Sequence, residues 1–256
     1  MVLTKKDGMR FLRLSGIFLL LLTVAVISLM NYRRAVTATG NTPSRSSLPT
    51  VVIDAGHGGE DGGAVALDGT NEKDINLKIA QQLQLFCQSG NLRTVMTRNK
   101  DTAIYDDDCT TLKAKKTSDM HNRLKIFNAD SNAIIVSIHQ NKFDKEKYHG
   151  TQVFFSPNNP ESENLAESIR LSVTGLLQPD NQRQNKKADK NIFLLYRCTQ
   201  PCVLVECGFL SNREELEKLK DSNYQKQMAF GVYCGILEYI AKTEQSTETE
   251  QSTDLA

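Results

Sequence analysis

The chain has 256 residues, of which 39% are hydrophobic and 24% charged, and its 31 Lys and Arg side chains nearly balance 30 Asp and Glu side chains. This composition is typical of a globular protein rather than a disordered one, and the basic excess of a nucleic-acid-binding protein is absent. A single long apolar run excludes a polytopic membrane protein.

The apolar run, Leu14–Met30, has seventeen residues without a charge and follows four basic side chains. It is short for a membrane span but long for the core of a signal peptide. Arg33 and Arg34 separate it from the small residues 36–38, where a signal peptidase could cut, so the sequence favours an uncleaved signal anchor over residues 1–34. We expect the basic flank to stay inside and the rest of the chain to be exported.

Three further segments follow this anchor. Residues 35–49 are small and polar and predict a flexible linker. Residues 50–242 alternate apolar and polar stretches, and about 190 residues are enough for one well-buried domain. Residues 243–256 repeat Glu-Gln-Ser-Thr and have little apolar surface to bury, so we predict a disordered tail.

The domain alternates strand and helix patterns. The nearly continuous apolar run Ala133–Ile138 is typical of a strand covered on both faces, and the alternation predicts an α/β sheet with helices on both faces. Strands are predicted at Val51–Ile53, Leu92–Thr97, Ala133–Ile138, Thr151–Phe155, Asn191–Leu195 and Cys202–Val205, and helices at Asp74–Gln88, Asp119–Asn128, Glu161–Leu177, Glu214–Leu219 and Tyr224–Ile240.

A glycine-rich segment, residues 54–63, directly follows the first predicted strand. It does not match a dinucleotide-binding fingerprint, because Asp61 stands where the third glycine is needed, and it lacks the Gly-Lys-Ser/Thr of a P-loop. Its acidic side chains also disfavour phosphate. The distinctive residue is His57, which glycines flank on both sides.

Residues of the types that bind zinc lie at one end of the predicted sheet. His57 follows the first strand, Glu72 opens the first helix, and His139 follows the buried third strand. Two histidines and a carboxylate match a water-activating zinc site, and Glu206, at the end of the last strand, could act as its base. The spacing alone leaves an alternative open, in which the histidines are hydrogen-bonded loop residues and Glu206 pairs with a lysine or arginine.

A series of sequence blocks spans most of the domain: Val51–Ala64, Asn71–Asp74, Thr97, Arg98 and Asp101, Arg123 and Asn128, Ser137–Asn141, and Pro201–Asn212. In these blocks, which occur in the family's order, the chain resembles the zinc-dependent N-acetylmuramoyl-L-alanine amidases, which cut bacterial peptidoglycan. Ala55 departs from the pattern, because the first block usually has proline there. The resemblance implies one α/β domain with a mixed, mostly parallel sheet of about six strands, zinc bound by His57, Glu72 and His139, and Glu206 as the catalytic carboxylate.

The long segment between Asp101 and Arg123 is similar to that of the germination-specific, spore-cortex branch of the family. This likeness implies an exported, membrane-anchored enzyme that faces the cell wall or spore cortex and removes stem peptides before muramic lactam formation. Only eight residues, 142–149, follow the His139 block before the next predicted strand, which leaves no room for the inserted helix that blocks the site in some cell-division relatives. We therefore expect positioning or activation to depend on the anchor or on an accessory protein.

Two rival functions remain at this point. One is a zinc carboxypeptidase that acts within the peptidoglycan stem peptide, and the other is a wall-binding or scaffold protein on an inactive amidase fold. We also predict that residues 102–122 form a mobile surface loop. If this loop borders the site, its lysines 113, 115 and 116 would meet the carboxylates of stem peptides.

Overall fold

The computed structural model describes residues 48–253, with side chains as far as residue 246. The predicted anchor, residues 1–34, and nearly all of the predicted linker lie outside this part of the chain. Within residues 48–253 no helix combines the length and the apolar character needed to span a membrane.

Six strands and six helices make up the described part of the chain. The strands are β1 (Thr50–Ala55), β2 (Thr94–Met96), β3 (Ala133–Asn141), β4 (Gln152–Phe155), β5 (Lys186–Lys187) and β6 (Cys202–Phe209). The helices are α1 (Glu72–Ser89), α2 (Leu112–Phe127), α3 (Glu161–Leu177), α4 (Phe193–Arg197), α5 (Arg213–Lys220) and α6 (Ser222–Thr253).

The strands form one sheet in the order β2-β1-β3-β6-β4-β5. β1 pairs in parallel with β2 and β3, β3 pairs in parallel with β6, and only the β4–β6 pair is antiparallel. The predicted mixed, mostly parallel α/β sheet is therefore confirmed. Because β1, β3 and β6 run in the same direction, the residues that follow them meet at one edge of the sheet.

Each face of the sheet packs against its own helices. Ile53, Val136 and Val205 lie on the face covered by α1, α3 and α6, in the larger hydrophobic core. Val52, Ile135 and Leu204 point to the opposite face, where α2 and the short α4 cover a smaller core. The alternation along each central strand explains why the sequence shows unbroken apolar runs at these positions.

Two of the predicted elements are wrong. The strand predicted at Asn191–Leu195 is instead the single-turn helix α4, in which Leu194 and Leu195 are buried, and the outer strand is the polar pair Lys186–Lys187. The loop predicted for residues 102–122 is helical from Leu112 onward. The Thr111 side chain caps this helix by accepting a hydrogen bond from Ala114 N, and lysine and alanine in its first turns favour a helix.

The C-terminal prediction also needs correction. Helix α6 continues to Thr253, so residues 243–253 of the predicted disordered tail are helical, and only residues 254–256 lie outside the described chain. Extending an existing helix costs far less than nucleating one. The buried part of α6, which ends near Ile240, therefore supports a continuation built from good helix formers such as Ala241 and Lys242.

A buried ion pair connects α2 to the sheet beneath it. Asp54, at the end of β1, is fully buried and accepts hydrogen bonds from Arg123 Nη1 at 2.5 Å, Ser137 Oγ at 2.6 Å and Thr97 Oγ1 at 2.7 Å. Arg123 also binds Asp119 at 2.7 Å. Burial alone would raise the pKa of Asp54, but Arg123 and the two hydroxyl groups hold the pKa below its usual value.

Arg123 and Arg98 also bind the backbone that follows β1. Arg123 donates to Ala55 O at 2.9 Å and to His57 O at 2.8 Å. Arg98 donates to Ala55 O at 2.8 Å and to Gly56 O at 3.0 Å. The carbonyl groups of residues 55–57 are thus satisfied by guanidinium groups, which determine where the chain turns after the strand.

We expect Arg123→Met to lower the free energy of unfolding by about 3–5 kcal/mol, because it leaves the Asp54 carboxylate buried without its cation. Urea unfolding followed by circular dichroism measures this. The matched control is Lys242→Met, which breaks the exposed pair between Lys242 and Glu238 and should cost less than about 1 kcal/mol. Equal urea midpoints for both variants would show that the buried Arg123–Asp54 pair does not stabilise the fold.

Candidate active site

The loop after β1 places His57 over the edge of the sheet. His57 has a φ of 61°, in the left-handed region, and the arginine contacts to the backbone of residues 55–57 stabilise this turn. Two neighbouring glycines are required by space. A Cβ atom on Gly56 would lie 2.3 Å from the His139 ring, and one on Gly63 would lie 2.6 Å from Glu72 Oε2.

His57, Glu72 and His139 converge as the sequence predicts. Glu72 Oε2 lies 3.3 Å from His57 Nε2, and Glu72 Oε1 lies 2.8 Å from His139 Nδ1. The two imidazole rings are 5.0 Å apart and nearly perpendicular, at 76°.

This geometry fits a tetrahedral zinc ion. One ligand atom from each of the three side chains lies within 4.8 Å of the others. Zinc ligands about 2.1 Å from the ion would lie roughly 3.4 Å apart, so small side-chain movements suffice. Two imidazoles and one carboxylate leave a fourth position for water or substrate, as catalytic zinc sites do.

Glu72 is held in place on both of its oxygens. Oε2 accepts from Ala64 N at 2.8 Å, and Oε1 accepts from Gln140 N and Asn76 Nδ2, both at 3.1 Å. Burial would raise the pKa of Glu72, but its hydrogen bonds with His139 and His57 outweigh burial and lower it. The ionised form that a metal needs is therefore the stable one.

Asp61 orients the His57 ring from the other side. Asp61 Oδ2 lies 3.0 Å from His57 Nδ1, so Nε2 is the nitrogen that faces Glu72. Burial opposes protonation of His57, but its hydrogen bonds to Asp61 and Glu72 raise its pKa to about 9. Hydrogen bonding to His57 in turn lowers the pKa of Asp61, and Lys116 contacts the same carboxylate at 3.2 Å.

Glu206 lies directly beside His139 in the sheet, where the two residues are cross-strand partners. Its Oε2 atom is buried and has no hydrogen-bond partner, and none of the described lysine or arginine side chains forms an ion pair with it. The predicted alternative of a paired structural carboxylate is therefore not what the structure shows. Burial and the negative charge of Glu72 raise the pKa of Glu206 to about 8, near the range in which a general base works best.

The two remaining histidines lie apart from this group. His121, on α2, packs edge-on against Phe193 at 5.4 Å, and His149 contributes its backbone carbonyl to Arg183. Sequence reasoning missed Asp61 and Asn76 as supporting residues. Their spacing was the available signal, because each lies four positions after a predicted ligand.

Comparison with known proteins decides the family. The family model of N-acetylmuramoyl-L-alanine amidase matches residues 51–238. The chain belongs to the N-acetylmuramoyl-L-alanine amidase family. It is a peptidoglycan hydrolase that acts on the amide bond between N-acetylmuramic acid and L-alanine, which favours the predicted amidase over both rival functions.

Individual relatives agree with this assignment. The amidase is 32% identical to the germination-specific N-acetylmuramoyl-L-alanine amidase of Bacillus subtilis, over 75% of this chain and 80% of that protein. The CwlD amidase of Clostridioides difficile, solved in complex with the GerS lipoprotein, superposes with a TM-score of 0.73 at 36% identity, over 75% of this chain and 98% of that one. The catalytic domain of CwlV from Bacillus (Paenibacillus) polymyxa var. colistinus gives a TM-score of 0.62 at 29% identity, over 76% and 99% of the two chains.

We expect His57→Ala and His139→Ala each to reduce bound zinc to far below one ion per chain, since each removes one of three ligands. Metal content after gel filtration, measured by mass spectrometry, tests this. His121→Ala is the matched control, because it removes a histidine that lies outside the group, and it should retain zinc. Full zinc retention in both ligand variants would show that the metal binds elsewhere.

The raised pKa of His57 predicts a pH-dependent metal affinity. Zinc must displace the proton on Nε2, so the apparent affinity should rise with pH until about 9, where His57 of the metal-free protein loses its proton. Asp61→Asn removes the charge that raises the pKa of His57, so the increase in zinc affinity should occur at lower pH. At pH 9.5, where protons no longer compete, the same variant should bind zinc about 10-fold or more weakly, because the ring has lost its charged partner.

Competition with a chelator across pH 6–10 measures both effects. The matched control is Asp101→Asn, because Asp101 binds the same loop through Gly59 N at 2.8 Å but does not touch His57. If the two variants behave alike, the contribution of Asp61 is only to hold the loop together.

Proposed function

We propose that the amidase is a zinc hydrolase in which His57, Glu72 and His139 bind the metal and Glu206 is the catalytic base. The observation that carries this proposal is the buried, unpartnered Oε2 of Glu206 beside three converging ligand side chains. A buried carboxyl group without a partner is costly unless it has a function. Catalysis at this position supplies one.

The reaction divides between the metal and the protein. When bound, zinc lowers the pKa of a water molecule to roughly 7 and polarises the amide carbonyl. Glu206 accepts the proton of the attacking water and then delivers a proton to the nitrogen of L-alanine as the amide bond breaks. Without metal the pKa of Glu206 is raised to about 8, and a bound dication would lower this pKa toward neutral pH, where one group can both take and give up a proton.

We propose further that the enzyme acts on spore-cortex peptidoglycan, where removal of the stem peptide prepares muramic acid for lactam formation by a separate deacetylase. Support comes from the name of the 32%-identical relative, a germination-specific amidase. Deleting the gene in a sporulating host should remove muramic lactam from the cortex, as measured by mass spectrometry of cortex fragments. Cortex that retains its lactam would leave the amidase activity standing and remove this biological role.

The location of the enzyme and its accessory protein belong to the same proposal. An N-terminal anchor over residues 1–34 would hold the catalytic domain outside the membrane, facing the wall or cortex. Residues 142–151 connect β3 to β4 without a helix, so no inserted helix there covers the site. The neighbour from Clostridioides difficile was solved with a lipoprotein, and an accessory protein of that kind would fit a site that the described chain leaves open.

Glu206→Gln separates metal binding from chemistry. The substitution keeps the shape of the side chain but removes its basicity, so we expect the rate to fall about 10²–10⁴-fold while one zinc per chain is retained. Mass spectrometry of digested peptidoglycan, scored for free muramic lactyl groups, measures the rate and confirms which bond is cut. Glu217→Gln, on the exposed surface of α5, is the control that should keep full activity. Wild-type turnover in Glu206→Gln would falsify the assignment of the base.

A further inference from the structure

Two adjacent rows of side chains cross the sheet on the face that carries Glu206. In the first row, Gln152, Glu206 and His139 are cross-strand partners on β4, β6 and β3. The second row lies two positions before Glu206 and His139 on β6 and β3, and two positions after Gln152 on the antiparallel β4. Because side chains alternate between faces and cross-strand partners share one, both rows point to the same side. The second row consists of Lys186, Phe154, Leu204 and Ser137.

The second row opens toward solvent in one direction only. Ser137 on β3 lies beneath α2 and is 1% exposed, and Leu204 on β6 is 9% exposed. Phe154 on β4 is half-buried, where it packs at the edge of the smaller core, and Lys186 on β5 is exposed. Leu204 therefore belongs to the covered core, and the partly exposed ring of Phe154 is the apolar surface between Glu206 and the β5 edge of the sheet.

The order of the strands sets the direction of the substrate. The proposed metal ligands His57, in the loop after β1, and His139, near the end of β3, lie on one side of Glu206, whereas β4 and β5 lie on the other side. Glu206 must reach the nitrogen that leaves with L-alanine, and that nitrogen is attached to the stem peptide. The peptide should therefore extend over β4 and β5, and the lactyl group and glycan should extend toward β1. This step rests on the proposed role of Glu206.

The basic side chains on the two sides of the site differ in their partners. On the β1 side, Lys115 pairs with Glu60 at 2.8 Å and Lys116 with Asp61 at 3.2 Å. Among the described side chains, Lys186 has no acidic partner, and its Nζ lies 5.9 Å from the centre of the Phe154 ring. The structure therefore does not favour the expectation that Lys115 and Lys116 meet stem-peptide carboxylates, because acidic residues of the glycine-rich loop already neutralise them.

The distances suit a short peptide. With strands about 4.8 Å apart and a rise of about 3.3 Å per residue, the Cα atoms of Glu206 and Lys186 lie roughly 12 Å apart. An extended peptide advances at most about 3.5 Å per residue. If the first stem residue lies beside Glu206, the second lies about 3.5 Å and the third about 7 Å along this path. The flexible lysine side chain and the side chain of the stem residue together span the remaining distance to the carboxylate.

We propose that Lys186, with Phe154, forms a stem-peptide subsite that binds a carboxylate on the second or third residue of the stem. The ring of Phe154 is the apolar surface on which the peptide lies, and Lys186 supplies the charge that selects acidic stems over amidated ones. Lys186 is thus a specificity-determining residue and takes no part in the chemical step.

The test uses the full-length, zinc-loaded protein and a pair of soluble N-acetylmuramoyl tripeptides, one with free carboxylates on the second and third residues and one with carboxamides. Lys186→Gln should lower kcat/KM on the acidic substrate about two- to fivefold, the range for one exposed charge pair. The loss should appear in KM with kcat unchanged, and added salt should reduce it. Lys186→Glu should give a larger loss. Neither variant should differ from wild type on the amidated substrate.

Lys187→Gln is the matched control. It removes the same charge from the same strand, but Lys187 pairs with Phe155, which lies in the core of the opposite face, so both substrates should be cut at the wild-type rate. The proposal is overturned if Lys186→Gln treats the two substrates as wild type does, or if Lys115→Gln or Lys116→Gln shows the carboxylate-dependent loss instead. An active Glu206→Gln variant would remove the catalytic assignment itself, so the two failures are distinguishable.

Discussion

The geometry of the active site depends on one buried charge. Asp54 is completely enclosed at the end of β1, and an isolated carboxylate there would be prohibitively costly. Arg123 compensates for it from α2, and hydroxyl groups of Thr97 and Ser137 complete its hydrogen bonds. The same guanidinium group binds the carbonyls of Ala55 and His57. The pair that joins helix to sheet therefore also determines where His57 lies, so stability and site geometry are not independent.

That arrangement explains why the loop after β1 is so rich in glycine. His57, Glu72 and His139 approach one another so closely that Gly56 and Gly63 could not carry a side chain without touching them. The left-handed backbone at His57 is uncommon for a residue other than glycine. It persists because Arg98 and Arg123 hold the carbonyls of residues 55–57 and Asp61 holds the ring.

The sequence was sufficient to predict that the candidate site residues converge, but not to predict every element around them. His57, His139 and Glu206 could be predicted because each follows or ends a parallel strand, and such ends meet at one edge of a sheet. The charge of Asp54 gave no hint of its partner, since Arg123 is 69 residues away along the chain. Residues 191–195 were predicted as a strand because a short apolar run is compatible with either a strand or a buried helix. In the folded chain, residues 193–197, which precede β6, form a helical turn. The polar pair Lys186–Lys187 forms the outer strand instead.

The two glutamates of the site show how surroundings shift the pKa of the same side chain in opposite directions. Glu72 is buried, yet its pKa is lowered, because its hydrogen bonds with His139 and His57 outweigh the effect of burial. Glu206 lies beside His139 but has no donor at Oε2, so burial raises its pKa to about 8. Two neighbouring carboxyl groups with opposite pKa shifts are the pattern expected of a ligand and a base. A dication held by His57, Glu72 and His139 would favour the ionised form of Glu206. Metal binding would therefore convert Glu206 to the ionised form, which is the form that can accept a proton.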